Sequence, residues 1–180
     1  ETRVSPFELL AALDLHPAID AAEASAQLAQ RRIACIGVDK LLPGLDPLLA
    51  LRLRMGVRAS GHTMAKLIDP CRGRSVRVVA VTHPEYLERM DAFLRADGGR
   101  AMLMRGTEGE IYANPRRCPE MKVYVDGGAS IGVPAEEGGA PPLAGLPDAP
   151  SVADNAALIR SILAGAVPVP EPVLKQVAVL

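Results

Sequence analysis

At 180 residues with 49% hydrophobic side chains, the chain is long enough for one domain with a real core and too short for two full ones. Its three cysteines, Cys35, Cys71 and Cys118, are odd in number and lack paired spacing, which argues against a disulfide framework or a zinc knuckle and fits a reducing cytoplasm. No apolar run approaches the roughly 18 residues of a membrane span, and Glu1-Thr2-Arg3 resembles no signal peptide.

In chain order, Ser5 is a natural N-cap and Pro6 opens an amphipathic helix over Phe7–Leu15. A second helix is expected over Ala21–Gln30, a buried strand over Ile33–Val38, and a helix over Pro47–Met55 that stops at Gly56. Ser75–Thr82, rich in valine, is the strongest strand signal. Pro84–Ala96 follows as a helix with a charged face, then strands over Ala101–Met104, Glu110–Ala113 and Lys122–Val125. This alternation predicts an α/β domain, a mostly parallel sheet flanked by helices. Between residues 127 and 150, 11 of 24 residues are Gly or Pro, which reads as a long loop or linker. Ser151–Leu163 restores a helix capped by Ser151. The lack of an initiator Met, and Leu180 falling inside an apolar periodic segment, lead us to expect a piece of a longer protein.

Charge is distributed unevenly. From Arg52 to Arg77 there are seven Lys or Arg and a single acid, Asp69, whereas the other residues hold 13 basic and 20 acidic side chains. A net charge of -1 therefore hides a basic window that points to an anionic partner.

The same window carries a resemblance. Gly56-Val57-Arg58 running to Asp69-Pro70 is similar, without a gap, to the G-(I/V)-R-T-x-x-N-x-x-G-P-L-x-N-P segment of anthranilate phosphoribosyltransferases. Ile33-Ala34-Cys35-Ile36 and Asp154-Asn155-Ala156-Ala157-Leu158-Ile159-Arg160 resemble the same family in the same order. Gly61-His62-Thr63-Met64-Ala65-Lys66, Val81-Thr82-His83-Pro84-Glu85-Tyr86 and Arg105-Gly106-Thr107-Glu108-Gly109-Glu110 resemble its divergent YbiB subgroup more closely. The resemblance implies a class III phosphoribosyltransferase α/β domain. It also implies a glycine-rich phosphate loop and a dimer-forming helical region upstream of Glu1.

Departures from the enzyme pattern shape the expected function. Arg58 matches the arginine that holds the anthranilate carboxylate in the enzymes, a role suited to a planar bidentate donor. Where the enzymes have Asn and Gly-Pro, this sequence has His62 and Ala65-Lys66. Their Asp-Glu pair, which binds magnesium and through it phosphoribosyl diphosphate, reads Gly109-Glu110 here, leaving Glu108 and Glu110 as the metal candidates. Arg58, His62 and Lys66 are the substrate or anion candidates. Each has a plain structural alternative: a surface arginine caps a helix, a lone histidine makes one structural hydrogen bond, and a carboxylate pair stands in solvent.

Two functions follow from different classes. In the first, a nucleic-acid-binding protein grips DNA or RNA backbones with little sequence readout, through Arg52, Arg54, Arg72, Arg74, Arg77, Arg116 and Arg117 beside the anion candidates. Five Tyr and Phe residues in all argue against a mode based on base stacking. In the second, a magnesium-dependent transferase moves phosphoribosyl from its diphosphate to anthranilate or a related acceptor. A cytoplasmic homodimer without membrane contact is expected in either case.

Overall fold

Caps set several of the helix boundaries in the computed structural model, which describes residues 4–57, 60–107, 110–141 and 151–180. Ser5 and Glu8 form a capping box at α1 (Pro6–Ala12), the Glu8 carboxylate accepting from the Ser5 N–H at 2.8 Å. Asp20 accepts from the Glu23 N–H at 2.8 Å and starts α2 (Ala21–Arg31), which ends where Arg32 turns left-handed at φ 63°. The contacts of the chain divide it into two units, Glu1–His62 with Gly145–Pro168, and Thr63–Ala144 with Val169–Leu180.

The first unit is helical. It holds α1, α2, α3 (Val38–Leu41), α4 (Asp46–Ala50), α5 (Arg52–Met55) and α8 (Val152–Leu163). Ser151 caps α8, accepting from the Asp154 N–H at 3.3 Å. That helix packs on α1, and its Arg160 donates to the Ala12 carbonyl. Two expectations change here. The strand over Ile33–Val38 reduces to one parallel bridge, Ala18 to Ile36, with the Ala18 N–H donating to the Cys35 carbonyl at 2.7 Å. The stretch is pinned between the left-handed Arg32 and Gly37, the N-cap of α3, which leaves no room for a ladder. The helix over Pro47–Met55 is two short helices, because the Leu51 carbonyl accepts from both Arg54 and Met55 at 3.0 Å and tightens the turn there. α6 (Ser60–Met64) follows and runs into a 3₁₀ turn, Ala65–Leu67.

The second unit carries the sheet: β1 (Arg77–Val81), α7 (Pro84–Asp97), β2 (Ala101–Arg105), β3 (Met121–Val125) and β4 (Gly128–Val133), then α9 (Glu171–Ala178). The strand order is β1-β2-β3-β4. β1 and β2 are parallel, with Arg77 opposite Ala101, whereas β2–β3 and β3–β4 are antiparallel. The sheet is therefore mixed rather than mostly parallel, and the connections explain why. A parallel pair needs a crossover, which only α7 supplies. β3 and β4 are joined by Asp126-Gly127, both at positive φ (51° and 82°), the conformation of a tight type I′ hairpin.

Alternation along β1 and β2 buries both faces of the sheet. Val79, Val81, Ala101 and Leu103 face α7, where Met90 and Leu94 cover them. Ala80, Met102 and Met104 face the opposite way and pack with Ala113, Cys118, Met121 and Val133. Being covered on both sides, β2 reads as a continuous apolar run. The Gly/Pro-rich stretch is not loop throughout, since its first residues form β4; residues 142–150 lie outside the described set. The strand expected over Glu110–Ala113 is irregular backbone. Among the described residues no helix is long and apolar enough to cross a membrane.

Candidate functional site

The basic candidates resolve into side chains with different commitments. Arg77 is well enclosed, its side chain 11% exposed; it pairs with Asp97 and donates to the Leu67 carbonyl at 3.2 Å. Lys66 donates to the Ala80 carbonyl at 2.6 Å, against β1, an edge strand, where a lysine also guards the open ladder. Arg116 holds the Ala140 and Pro141 carbonyls, and Arg117 holds that of Gly138 at 2.8 Å. These four cations act first as structural ties.

Arg52, Arg54, Arg72 and Arg74 differ. All four are exposed, and among the described residues none of their guanidinium groups makes a hydrogen bond or an ion pair. Arg52 and Arg54 lie on α5 in the first unit. Arg72 and Arg74 lie in the second, on the loop between the 3₁₀ turn and β1. Asp69, the one acid of the window, closes that loop on itself: one carboxylate oxygen accepts from the Cys71 N–H at 2.9 Å, and the other accepts from the Ser75 hydroxyl. The hydrogen bond from Ser75, then that from Cys71, holds the Asp69 carboxyl below its ordinary pKa. Arg74 also borders a concavity of about 470 Å³ together with Arg77, Arg100 and Asp126.

A larger cleft, about 750 Å³, opens beyond the carboxyl ends of β1 and β2, among Thr82, Asp91, Arg105, Thr107, Asn114 and Glu120. Open α/β sheets place their ligands at this end of the strands. Its charges are of both signs, because Glu88 and Glu136 also line it, as do Arg117 and Lys122. Asp91 anchors one wall. It accepts from Tyr124 at 2.7 Å, Arg95 at 2.8 Å and Lys122 at 3.3 Å. The Arg95 and Tyr124 hydrogen bonds lower its pKa to about 2. Burial, and then the bond to Asp91, push the Tyr124 hydroxyl well up. The other wall is fixed from α9, where the buried Gln176 side chain bridges the loop backbone. Its Oε1 accepts from the Ala113 N–H and its Nε2 donates to the Ile111 carbonyl, both at 2.7 Å. Lys175 on the same helix bonds Glu136 at 2.9 Å, and Glu136 in turn accepts from the Cys118 N–H at 2.9 Å. The Lys175 ammonium is held well above its ordinary pKa by Glu136 and then Glu171, and burial raises the Cys118 thiol.

Of the remaining candidates, Arg58 and Glu108 lie outside the described residues. His62 is half-buried on α6. Glu110 is exposed, its N–H donating to the Thr107 carbonyl at 3.0 Å. Among the described residues no three His, Cys, Asp or Glu side chains group as metal ligands. The clasp on Asp69, the Asp91 network and Gln176 escaped the sequence reading. Only Asp69 left a signal, as the single acid in a run of bases.

No family model matches the chain. It is similar to a protein of Escherichia coli (strain K12) whose name is given as uncharacterized protein YbiB, with 38% identity over 178 residues, 98% of this chain. The chain spans 55% of the length of that relative.

Proposed function

We propose that this chain binds nucleic acid on a scaffold of the anthranilate phosphoribosyltransferase type, gripping phosphate backbones with little sequence readout. The observation that carries this reading is the pair Arg72 and Arg74. They stand exposed and unpaired on a loop whose only acid, Asp69, is already engaged by that same loop. Arg52 and Arg54 add two further exposed guanidinium groups in the other unit. Arginine suits this role, since its planar fork fits phosphate oxygens and keeps its charge at any working pH. The similarity to YbiB agrees with the likeness to that subgroup in the sequence motifs. Titration of the intact protein with labelled DNA and RNA at low and moderate salt tests it. Counterion release requires the affinity to fall steeply as salt rises, and an affinity that ignores salt contradicts the proposal.

A second reading, phosphoribosyl transfer, is favoured by the cleft beyond β1 and β2. The hydroxyl-bearing Thr82 and Thr107 stand there beside Arg105. In that reading Arg58 holds the acceptor carboxylate, and Glu108 with Glu110 supplies the metal ligands. The mixed charge of the cleft and the replacement of the enzymes' Asp by Gly109 rank it second. We expect little or no turnover of anthranilate and phosphoribosyl diphosphate with magnesium, and robust turnover would reverse the ranking.

A further inference from the structure

An exposed arginine gives up rotamer entropy when it grips a phosphate, and a mobile loop adds the freedom of its backbone. A loop that presents two arginines to phosphate is more effective when its backbone is already fixed. The loop from Asp69 to Ser75 is fixed from within. The carboxylate at its start binds the Cys71 N–H with one oxygen and the Ser75 hydroxyl with the other, tying the two ends together around Arg72, Gly73 and Arg74. Its base is clamped as well, since Arg77, two residues beyond Ser75, pairs with Asp97 and donates to the Leu67 carbonyl, two residues before Asp69. Thus the basic window contains an acid, but that acid neutralises neither exposed arginine.

We infer that Asp69, acting through Ser75 and the Cys71 backbone, is a positioning residue that presents Arg72 and Arg74 together to the phosphodiester backbone. This inference rests on the nucleic-acid reading above and goes beyond it, because it gives a negatively charged residue a favourable part in binding a polyanion. Charge and position then predict opposite signs. Removing a carboxylate beside the site relieves repulsion and tightens binding if only charge matters, whereas losing the clasp loosens it.

The test is a titration of the intact protein with a labelled mixed-sequence DNA oligonucleotide across a salt series, comparing wild type, D69A, S75A and R72A/R74A. D69A is expected to bind roughly 2- to 10-fold more weakly than wild type, about the worth of one or two hydrogen bonds. Its dependence on salt should match wild type, because the same phosphates are neutralised. S75A, which alters no charge and keeps the Cys71 bond, should weaken binding in the same direction and by less. R72A/R74A should weaken binding and flatten the salt dependence. Should D69A prove misfolded by its thermal melt, the S75A result decides. Binding by D69A as tight as wild type or tighter, with R72A/R74A weakened, overturns the inference and leaves the nucleic-acid reading standing. If R72A/R74A binds like wild type, or wild type does not bind, the reading of the loop falls and the inference falls with it.

Discussion

At Arg72 and Arg74, binding to phosphate is a matter of counting charges released. Replacing both with alanine should lower the slope of log affinity against log salt by about 2, roughly one for each phosphate no longer neutralised, while weakening all sequences alike. Asp91 tests a different property of single residues. Its folded pKa of about 2 lies below the ordinary carboxylate value, mainly through the Arg95 and Tyr124 hydrogen bonds. A depressed carboxyl contributes stability that is present above the unfolded pKa, near 4, and is lost as pH falls through 2. The Asp91 side chain is 22% exposed, so solvent screening keeps this contribution to at most about 2 kcal/mol. D91A should therefore cost about 1–3 kcal/mol near pH 7, where it leaves the Tyr124 hydroxyl without its acceptor. The variant should also lose part of the acid sensitivity of wild type between about pH 4 and 2. Denaturant unfolding of both proteins across that range reads the two effects together.

Among the elements, the β3–β4 hairpin and the α9 clamp govern the walls of the sheet unit. Gly127 sits at φ 82°, and a Cβ there would stand 2.9 Å from the Arg95 carbonyl. Gly127→Ala should cost about 1–3 kcal/mol by strain alone, seen as a lowered unfolding midpoint. Gln176→Leu keeps the size of the side chain but strips the Ala113 N–H and the Ile111 carbonyl of their partners. It should cost about 2–4 kcal/mol and raise amide exchange across residues 111–118.

The same elements mark where sequence was legible. Ser5 and Ser151 announced their helices because a cap is a local contract between a side chain and an N–H two or three residues on. The valine-rich β1 and the apolar β2 were legible from burial on both faces. Residues 110–113 looked like a strand, yet their backbone partner is the side chain of a glutamine more than sixty residues away, which no local pattern reveals. β4 was hidden by its glycines. Its partner β3 and its turn define it, rather than any propensity of its own. In the candidate site, the basic window was visible by counting, but counting does not separate Arg77, locked to Asp97, from the unpaired Arg72 and Arg74.

Across the 180 residues as a whole, a net charge of -1 gives no long-range attraction for a polyanion, so binding by this chain has to come from local arrangement. The two units each contribute exposed arginines, Arg52 and Arg54 from one and Arg72 and Arg74 from the other. The 750 Å³ cleft carries both signs of charge and offers no continuous basic lining. An account that puts nucleic acid on the arginine loop, and not in the cleft, predicts that cleft substitutions such as Glu120→Ala leave DNA affinity unchanged within about twofold. The most direct test of the central claim is the salt slope of DNA binding by the intact protein, measured for wild type beside R72A/R74A. The account predicts a steep negative slope for wild type that becomes shallower by about 2 in the double variant; a flat wild-type slope, or identical slopes for the two proteins, would contradict it.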